Sequence, residues 1–290
     1  MTRRATILVA MLGLFTAAAV PARAATIAIY ISPPAVQYSE VGGTTVATFD
    51  TLAPGNMTTP YASPIGTYNA SAAAPFDVNA ADQYGGATDP ANPTTPTRYF
   101  TIGAQSGTSA PVAVNLNQAA DYFGFWWSAG DANNAVSFYS GNLLLARFTT
   151  ATLVTLLNNA SGHVTAINGS AYSNSAYFGN PNAPSGRDTS EPFVFVDFVV
   201  TGTTFDKVVF DNSGTTSSGF ESDNHTVTSA PVTLSGDHVF VTTLNVNTPE
   251  PGAVVLLGGG LVLIAAARRR TPGALRSRWR GGCPRAASRG

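Results

Sequence analysis

Apolar residues in this 290-residue chain fall into two patterns. From about residue 25 to 248 they come in short runs of strand length separated by Gly, Asn, Ser and Pro. Near each end they form one longer run, 7–20 and 252–267. In the central part, 26–31 and 44–49 read as early strands. Asp121-Tyr122-Phe123-Gly124-Phe125-Trp126-Trp127 reads as an aromatic strand, followed by a turn over 128–134. The runs 135–139 and 143–148 form a hairpin across Ser140-Gly141-Asn142. Residues 193–200 are apolar at both parities, which predicts a central strand beneath a second layer. Strands over 205–211 and 239–246 complete the set. One helix is expected, with Thr149 or Thr150 as cap, Leu153, Val154, Leu156 and Leu157 as its apolar face, and 158–162 as its end. It would close one end of a mostly β, antiparallel sandwich. No convincing repeat of fixed period appears, which argues against a solenoid or propeller. Residues 53–111 hold eight prolines. They are either a loop-rich insertion or an ordered wrap around the sandwich.

The terminal runs have a different logic. Arg3 and Arg4 precede the apolar stretch 7–20, and Ala22-Arg23-Ala24 offers a small-residue cleavage site. That is the pattern of a secretory signal peptide over 1–24, with a mature chain starting at Ala25 or Thr26. The C-terminal run is preceded by Pro249-Glu250-Pro251 and followed by Arg268-Arg269-Arg270. As a helix, 252–267 would rise roughly 24 Å at about 1.5 Å per residue, short of the hydrocarbon core of about 30 Å. Gly258, Gly259 and Gly260 weaken it further. A marginal span that pauses in a membrane fits, with the arginines on the cytoplasmic side. A basic tail, 271–290, follows with Arg276, Arg278, Arg280, Arg285 and Arg289.

Pro-Glu-Pro, apolar run and arginine cluster, in that order over 249–270, resemble the PEP-CTERM tail of bacterial proteins handled by exosortases. The same tail is also labelled an ice-binding-protein C-terminal domain; nothing in these residues supports ice binding. The resemblance implies export by a Gram-negative host with an exopolysaccharide locus. It also implies a transient membrane anchor through 252–267, then cleavage near Pro249–Pro251 and transfer to the outer surface or matrix. The family tail usually stops soon after its arginines, so 271–290 departs from it. Residues 122–228, with Trp126-Trp127, Phe205-Asp206-Lys207-Val208-Val209-Phe210 and Gly219-Phe220-Glu221-Ser222-Asp223-Asn224-His225, look more loosely like a recurring ectodomain of exosortase-sorted proteins. That resemblance implies a jelly-roll-like sandwich of unknown ligand without mapped catalytic residues, within the domain expected over 25–248.

Setting the ends aside changes the charge. Residues 25–248 carry four basic side chains (Arg98, Arg147, Arg187, Lys207) against fifteen acidic ones, a formal charge of −11. Such a domain repels nucleic acid and anionic lipid at long range; its acidity either attracts divalent cations or, as is commoner, serves solubility. Cys283, the one cysteine, lies in the tail, so 25–248 has neither disulfides nor thiolate metal sites.

Candidate chemistry is sparse. His163, His225 and His238 are the only histidines. No Gly-x-Ser-x-Gly elbow, His-Glu-x-x-His, P-loop or Gly-x-Gly-x-x-Gly occurs. Glu191, Asp197, Asp206 and Glu221 could pair as in glycoside hydrolysis, but any acidic β-protein offers such pairs. No catalytic residues and no obligatory cofactor are expected. Glu221, Asp223 and Asn224, read as a loop between strands, are candidates for calcium. Asp131, Asn133 and Asn134 read as turn chemistry. Trp126 and Trp127 point to opposite faces of one strand. One is expected in the core. The other either stacks on sugar or lies under the insertion. Two functions compete: an exported structural protein associated with exopolysaccharide, and a carbohydrate-binding module using an exposed aromatic and calcium.

Overall fold

The computed structural model describes residues 24–182, 186–214, 216–234 and 236–246. The leader, the sorting motif with Pro249, Glu250, Pro251, Arg268, Arg269 and Arg270, the apolar run 252–267 and the tail lie outside the described residues.

The first part of the domain contains β1 (Thr26–Ile31), β2 (Thr45–Ala47), β3 (Gly55–Met57), β4 (Tyr61–Ala62), β5 (Gly66–Tyr68), β6 (Phe76–Asn79) and β7 (Tyr99–Gly103). Next come β8 (Val112–Ala120), β9 (Tyr122–Ser128), β10 (Ala135–Ser140), β11 (Leu143–Thr149) and α1 (Thr150–Leu157). A small pair, β12 (His163–Thr165) and β13 (Ala171–Ser173), precedes β14 (Val194–Thr201), β15 (Phe205–Asp211), β16 (Gly219–Thr228) and β17 (Val239–Asn245).

Two antiparallel sheets enclose the core. The larger runs β17-β1-β14-β9-β16-β7-β6-β3, with β2 added on β16. The smaller runs β11-β10-β15-β8-β5-β4. From β7 to β16 the chain passes repeatedly between them: β7, β9, β14 and β16 join the larger sheet, β8, β10, β11 and β15 the smaller. Alternation along β9 sends Phe123, Phe125 and Trp127 inward, where they meet Phe138 and Phe210 of the opposite sheet. Phe138 also packs on Phe198 with ring centroids 4.8 Å apart. Each such side chain, fully buried, contributes about 1.5–3 kcal/mol.

β1 and β15 have the expected bounds. β2 is shorter than expected, and Phe49, just beyond it, has a left-handed φ of 61°. β14 is buried along both faces, as its pattern requires. In α1, Leu153 and Leu157 are buried. Its cap, Thr149, is extended but makes no side-chain bond to the helix.

Three expectations change. Residues 53–111 are loop-rich but not an insertion outside the sandwich: between their loops they supply β3 to β7, in both sheets. Those strands are too short to carry a period of their own, and their pairing partners lie far along the chain. β8, nine residues long, was not expected, because its second half is polar and mostly exposed. β16 was read as a loop around Glu221, Asp223 and Asn224, yet it is the longest strand and all ten residues are buried. A strand covered on both faces normally reads as apolar. This one is polar because its buried side chains bond to segments lying over the sheet. Among the described residues no helix is long and apolar enough to cross a membrane.

Candidate functional site

Glu221 and Asp223 are two residues apart on β16, so both carboxylates reach the outer face of the larger sheet. Asp223 is completely buried. Its Oδ2 accepts the Ala87 N–H at 2.9 Å and its Oδ1 accepts the Asn224 N–H at 2.7 Å. At Asn224 the pairing with β9 shifts register, and the residue adopts a φ of 51°. Its amide donates to the carbonyls of Gln37 and Thr88, both at 2.8 Å. Asp223 and Asn224 therefore pin overlying chain to the sheet. They do not form an exposed calcium loop with Glu221, because the strand directs the three side chains to different partners. Burial raises the Asp223 carboxyl well above its usual range.

The same register shift turns His225 into the core, not into a loop. It stacks on Phe210 at 4.6 Å and bonds Tyr68 Oη at 2.8 Å and Ser222 Oγ at 2.9 Å. Burial lowers its pKa to about 3, so it is a neutral core residue.

Neither tryptophan is exposed: both are 1% accessible. Trp127 stacks on Phe220 inside the core at 5.0 Å. Trp126 faces outward but lies in a second apolar cluster with Ala87, Ala129, Phe193 and Phe195. Residues of the 53–111 segment thus cover the face on which sugar stacking was considered.

The outer face opens instead at a cleft of about 410 Å³ beside this cluster. Asp131, Asp188, Glu191 and Glu221 line it, with Gln105, and Tyr84 is 38% exposed there. Asp131 sits in the β9–β10 turn. Buried Asn134 staples that turn, accepting the Asp131 N–H at 3.0 Å and donating to the Gly219 carbonyl at 2.8 Å. The turn reading of Asn134 therefore describes its geometry, while Asp131 faces the cleft. Asp188 and Glu191 come from the segment before β14, anchored where the Glu191 carbonyl accepts the Gly179 N–H. Glu221 reaches the floor because Gly219 has no side chain: a Cβ there would lie 1.8 Å from Glu221 Oε1. Gln105 Nε2 donates to that oxygen at 3.0 Å, while Gln105 Oε1 is buried with no partner.

Electrostatics follow from four carboxyls in one cleft. Burial, then Asp131 and Asp188, push Glu191 up to about 8. Burial raises Glu221 well above its range; the Gln105 bond opposes this, and Asp131 and Glu191 add to it. Asp188 is held low: burial opposes ionisation, but the Ser190 hydroxyl (2.6 Å) and N–H (3.1 Å) outweigh it. Arg187, nearby in sequence, gives its guanidinium to the Phe178 and Gly179 carbonyls. The cleft is a set of hard oxygen donors, and a divalent cation could displace the protons that Glu191 and Glu221 retain.

Sequence reading set Glu191 and Glu221 among four carboxylates that could pair, but kept Asp131 apart as turn chemistry. It missed Asp188, Gln105 and Tyr84. The one local signal was Asp188-Thr189-Ser190, a pattern in which the carboxylate bonds the backbone two residues on. Of the four carboxylates considered for paired chemistry, Glu191 and Glu221 share this cleft. Asp197 is buried elsewhere, and Asp206 accepts the Gly141 N–H on the β10–β11 hairpin.

No family model and no curated protein matches the chain. Among solved structures, the catalytic domain of a GH87 α-1,3-glucanase in complex with tetrasaccharides is similar at 13% identity, with a TM-score of 0.22. The likeness covers 72% of this chain and 29% of that one, so this chain spans under a third of that domain. A likeness this slight carries no argument about activity.

Proposed function

We propose that this is an exported, exosortase-sorted structural protein of the outer cell surface or extracellular matrix of a Gram-negative bacterium, associated with exopolysaccharide. The observation that carries the reading is the order of parts along the chain. An apolar leader comes first, then an acidic domain without cysteine, then Pro249-Glu250-Pro251, the apolar run 252–267 and Arg268-Arg269-Arg270. On this reading the partners are the secretion machinery, an exosortase and exopolysaccharide; nucleic acid is excluded by charge, and no catalysis is assigned. The crossing of strands between the two sheets supports the jelly-roll-like form of the sandwich. The test is mass spectrometry of the protein from its host. A mature N-terminus at Ala25 or Thr26 and a C-terminus near Pro249–Pro251 are expected. Recovery of the intact chain in the inner membrane would overturn the sorting assignment.

A second reading, a carbohydrate-binding module assisted by calcium, is favoured by one observation: Tyr84 is exposed at a cleft lined by four carboxylates. Saturable binding of extracted exopolysaccharide, lost with chelator and with Tyr84→Ala, would establish it. Absence of binding with and without calcium leaves the structural reading.

A further inference from the structure

A second cluster lies outside this cleft. Asp237 and His238 immediately precede β17, where their backbone is fixed from the β12–β13 turn: Ile167 N–H bonds the His238 carbonyl at 2.9 Å and Asn168 N–H the Gly236 carbonyl at 2.7 Å. Glu40 belongs to the β1–β2 connection, next to Ser39, whose hydroxyl lies 2.7 Å from Tyr122 Oη. One ligand atom from each of Glu40, Asp237 and His238 lies within 4.8 Å of the others. His238 Nδ1 is 3.5 Å from Asp237 Oδ1. Tetrahedral zinc with bonds of about 2.0–2.1 Å places ligand atoms roughly 3.3 Å apart, so modest side-chain rotation closes the set.

What lies behind the imidazole separates this cluster from an ordinary acidic patch. The other ring nitrogen, Nε2, faces Asp197 Oδ2 at 3.9 Å. Asp197 is 1% exposed and is itself held by Tyr122 Oη at 2.6 Å and Ser32 Oγ at 3.4 Å. A histidine that ligates metal through one nitrogen typically offers the other N–H to a carboxylate, which sets its tautomer and ring orientation. Here that carboxylate is already oriented by β9 and β14. The network also returns to the ligand loop, since Ser39 touches Tyr122 and precedes Glu40.

Charge supplies an independent reason. Among the described residues, His238 is the one basic group set among Glu40, Asp237 and Asp197, 3.5 Å from Asp237 and 3.9 Å from Asp197. All four Lys and Arg side chains of 25–248 are engaged elsewhere: Arg98 with the Asp50 and Leu52 carbonyls, Arg147 with Asp211, Arg187 with the Phe178 and Gly179 carbonyls, and Lys207 over the Tyr139 ring. A cleft of about 380 Å³, walled in part by Ala230, Pro231, Val232 and Leu234, opens onto Glu40 and His238.

We propose that Glu40, Asp237 and His238 bind a first-row divalent transition ion of the zinc class, with Asp197 and Tyr122 positioning the imidazole and one coordination place left open toward the cleft. The donor set selects the metal. Imidazole with two carboxylates and no thiolate suits zinc, cobalt or nickel better than calcium or magnesium, which take oxygen alone. Three protein ligands plus an open place is the arrangement of accessible zinc sites. The site shares no residue with the Asp131–Glu221 cleft and does not depend on the function proposed above.

The test uses full-length protein in detergent with Cys283→Ser, so that no thiolate competes, stripped with chelator and held in excess calcium to fill oxygen-only sites. Titration with Co2+ is expected to give the intense visible bands of a tetrahedral site at one equivalent, displaced by Zn2+. Glu40→Gln, at an exposed position, and His238→Asn are each expected to weaken binding at least tenfold. Tyr122→Phe, which acts through Asp197, is expected to weaken it about tenfold, the lower end for such supporting partners. Far-ultraviolet circular dichroism checks the fold of each variant, and Glu40→Gln keeps the test decisive where a buried variant fails to fold. Absence of visible bands, unchanged titrations in Glu40→Gln, or bands lost only in Glu191→Gln would each overturn the assignment.

Discussion

Tyr122 donates a 2.6 Å hydrogen bond to Oδ1 of Asp197, joining two central strands through side chains that are no more than 1% exposed. Gly124 makes room for it. Gly124 pairs directly with Asp197 in the β9–β14 register. A Cβ there would lie 2.4 Å from Tyr122 Oη and 2.7 Å from the Phe195 ring. The glycine that looks like a flaw in an aromatic strand is what lets a buried tyrosine reach a buried carboxylate.

Gly124→Ala should therefore destabilise the domain by about 1–3 kcal/mol through overpacking. Tyr122→Phe should cost a similar amount, about 1–3 kcal/mol, because Asp197 loses a donor. The two effects should not add, since they act on one contact. Urea unfolding midpoints of the three variants check this; a wild-type midpoint for Gly124→Ala would refute it.

Without a divalent cation, stability should fall as pH rises. Glu191 keeps its proton up to about 8 in the folded domain, against an ordinary value of 4.5. Between those limits the folded state binds more protons than the unfolded one, so the Glu191 contribution is full below about 4.5 and lost by about 8. Glu221 shifts in the same direction. Thermal unfolding from pH 4.5 to 8 in chelator should show the decline, and Glu191→Gln should flatten it. Calcium should restore stability at pH 8 if the cleft takes the ion.

The tryptophans and Tyr84 should separate stability from binding. Trp127→Ala removes a ring stacked in the core and should cost about 3–5 kcal/mol. Tyr84→Ala, at an exposed position, should change stability by no more than about 0.5 kcal/mol. Loss of glycan binding in a Trp126 or Trp127 variant should then track loss of fold in circular dichroism. Only Tyr84→Ala can report on recognition with the fold intact.

Asn224→Ala should release the overlying segments. It removes both donors to the Gln37 and Thr88 carbonyls and places a less tolerant residue at a φ of 51°. Each carbonyl left buried without a donor costs about 1–3 kcal/mol. Faster amide exchange at Ala87 and Thr88 than in the wild type is the expected signature. Unchanged exchange there would show that the bonds of the Ala87 and Thr88 amides to Asp223 and Gln37 hold the segment without Asn224.

The strands that could be read from the chain were those whose own residues carry the burial pattern. β1, β9, β10, β11, β14 and β15 are apolar on at least one parity, and α1 has leucines at helical spacing. β16 could not be read because its side chains are satisfied by partners more than a hundred residues away, as Glu221 is by Gln105 and Asp223 by Ala87. The short strands of 53–111 could not be read because their order comes from pairing.

Sequence by itself determined the charge imbalance of the central domain, the lack of thiolates there, the mostly antiparallel β character and the two unusual ends. These are properties of composition and local period, which survive without knowledge of distant neighbours. Tertiary structure decided which polar residues are buried, that neither Trp126 nor Trp127 is open to a ligand, and which acids meet. Asp131, Asp188, Glu191 and Glu221 converge only because β9, β14 and β16 lie side by side. Carboxylate chemistry depends on separations of a few ångströms, and sheet pairing sets those separations between residues far apart along the chain.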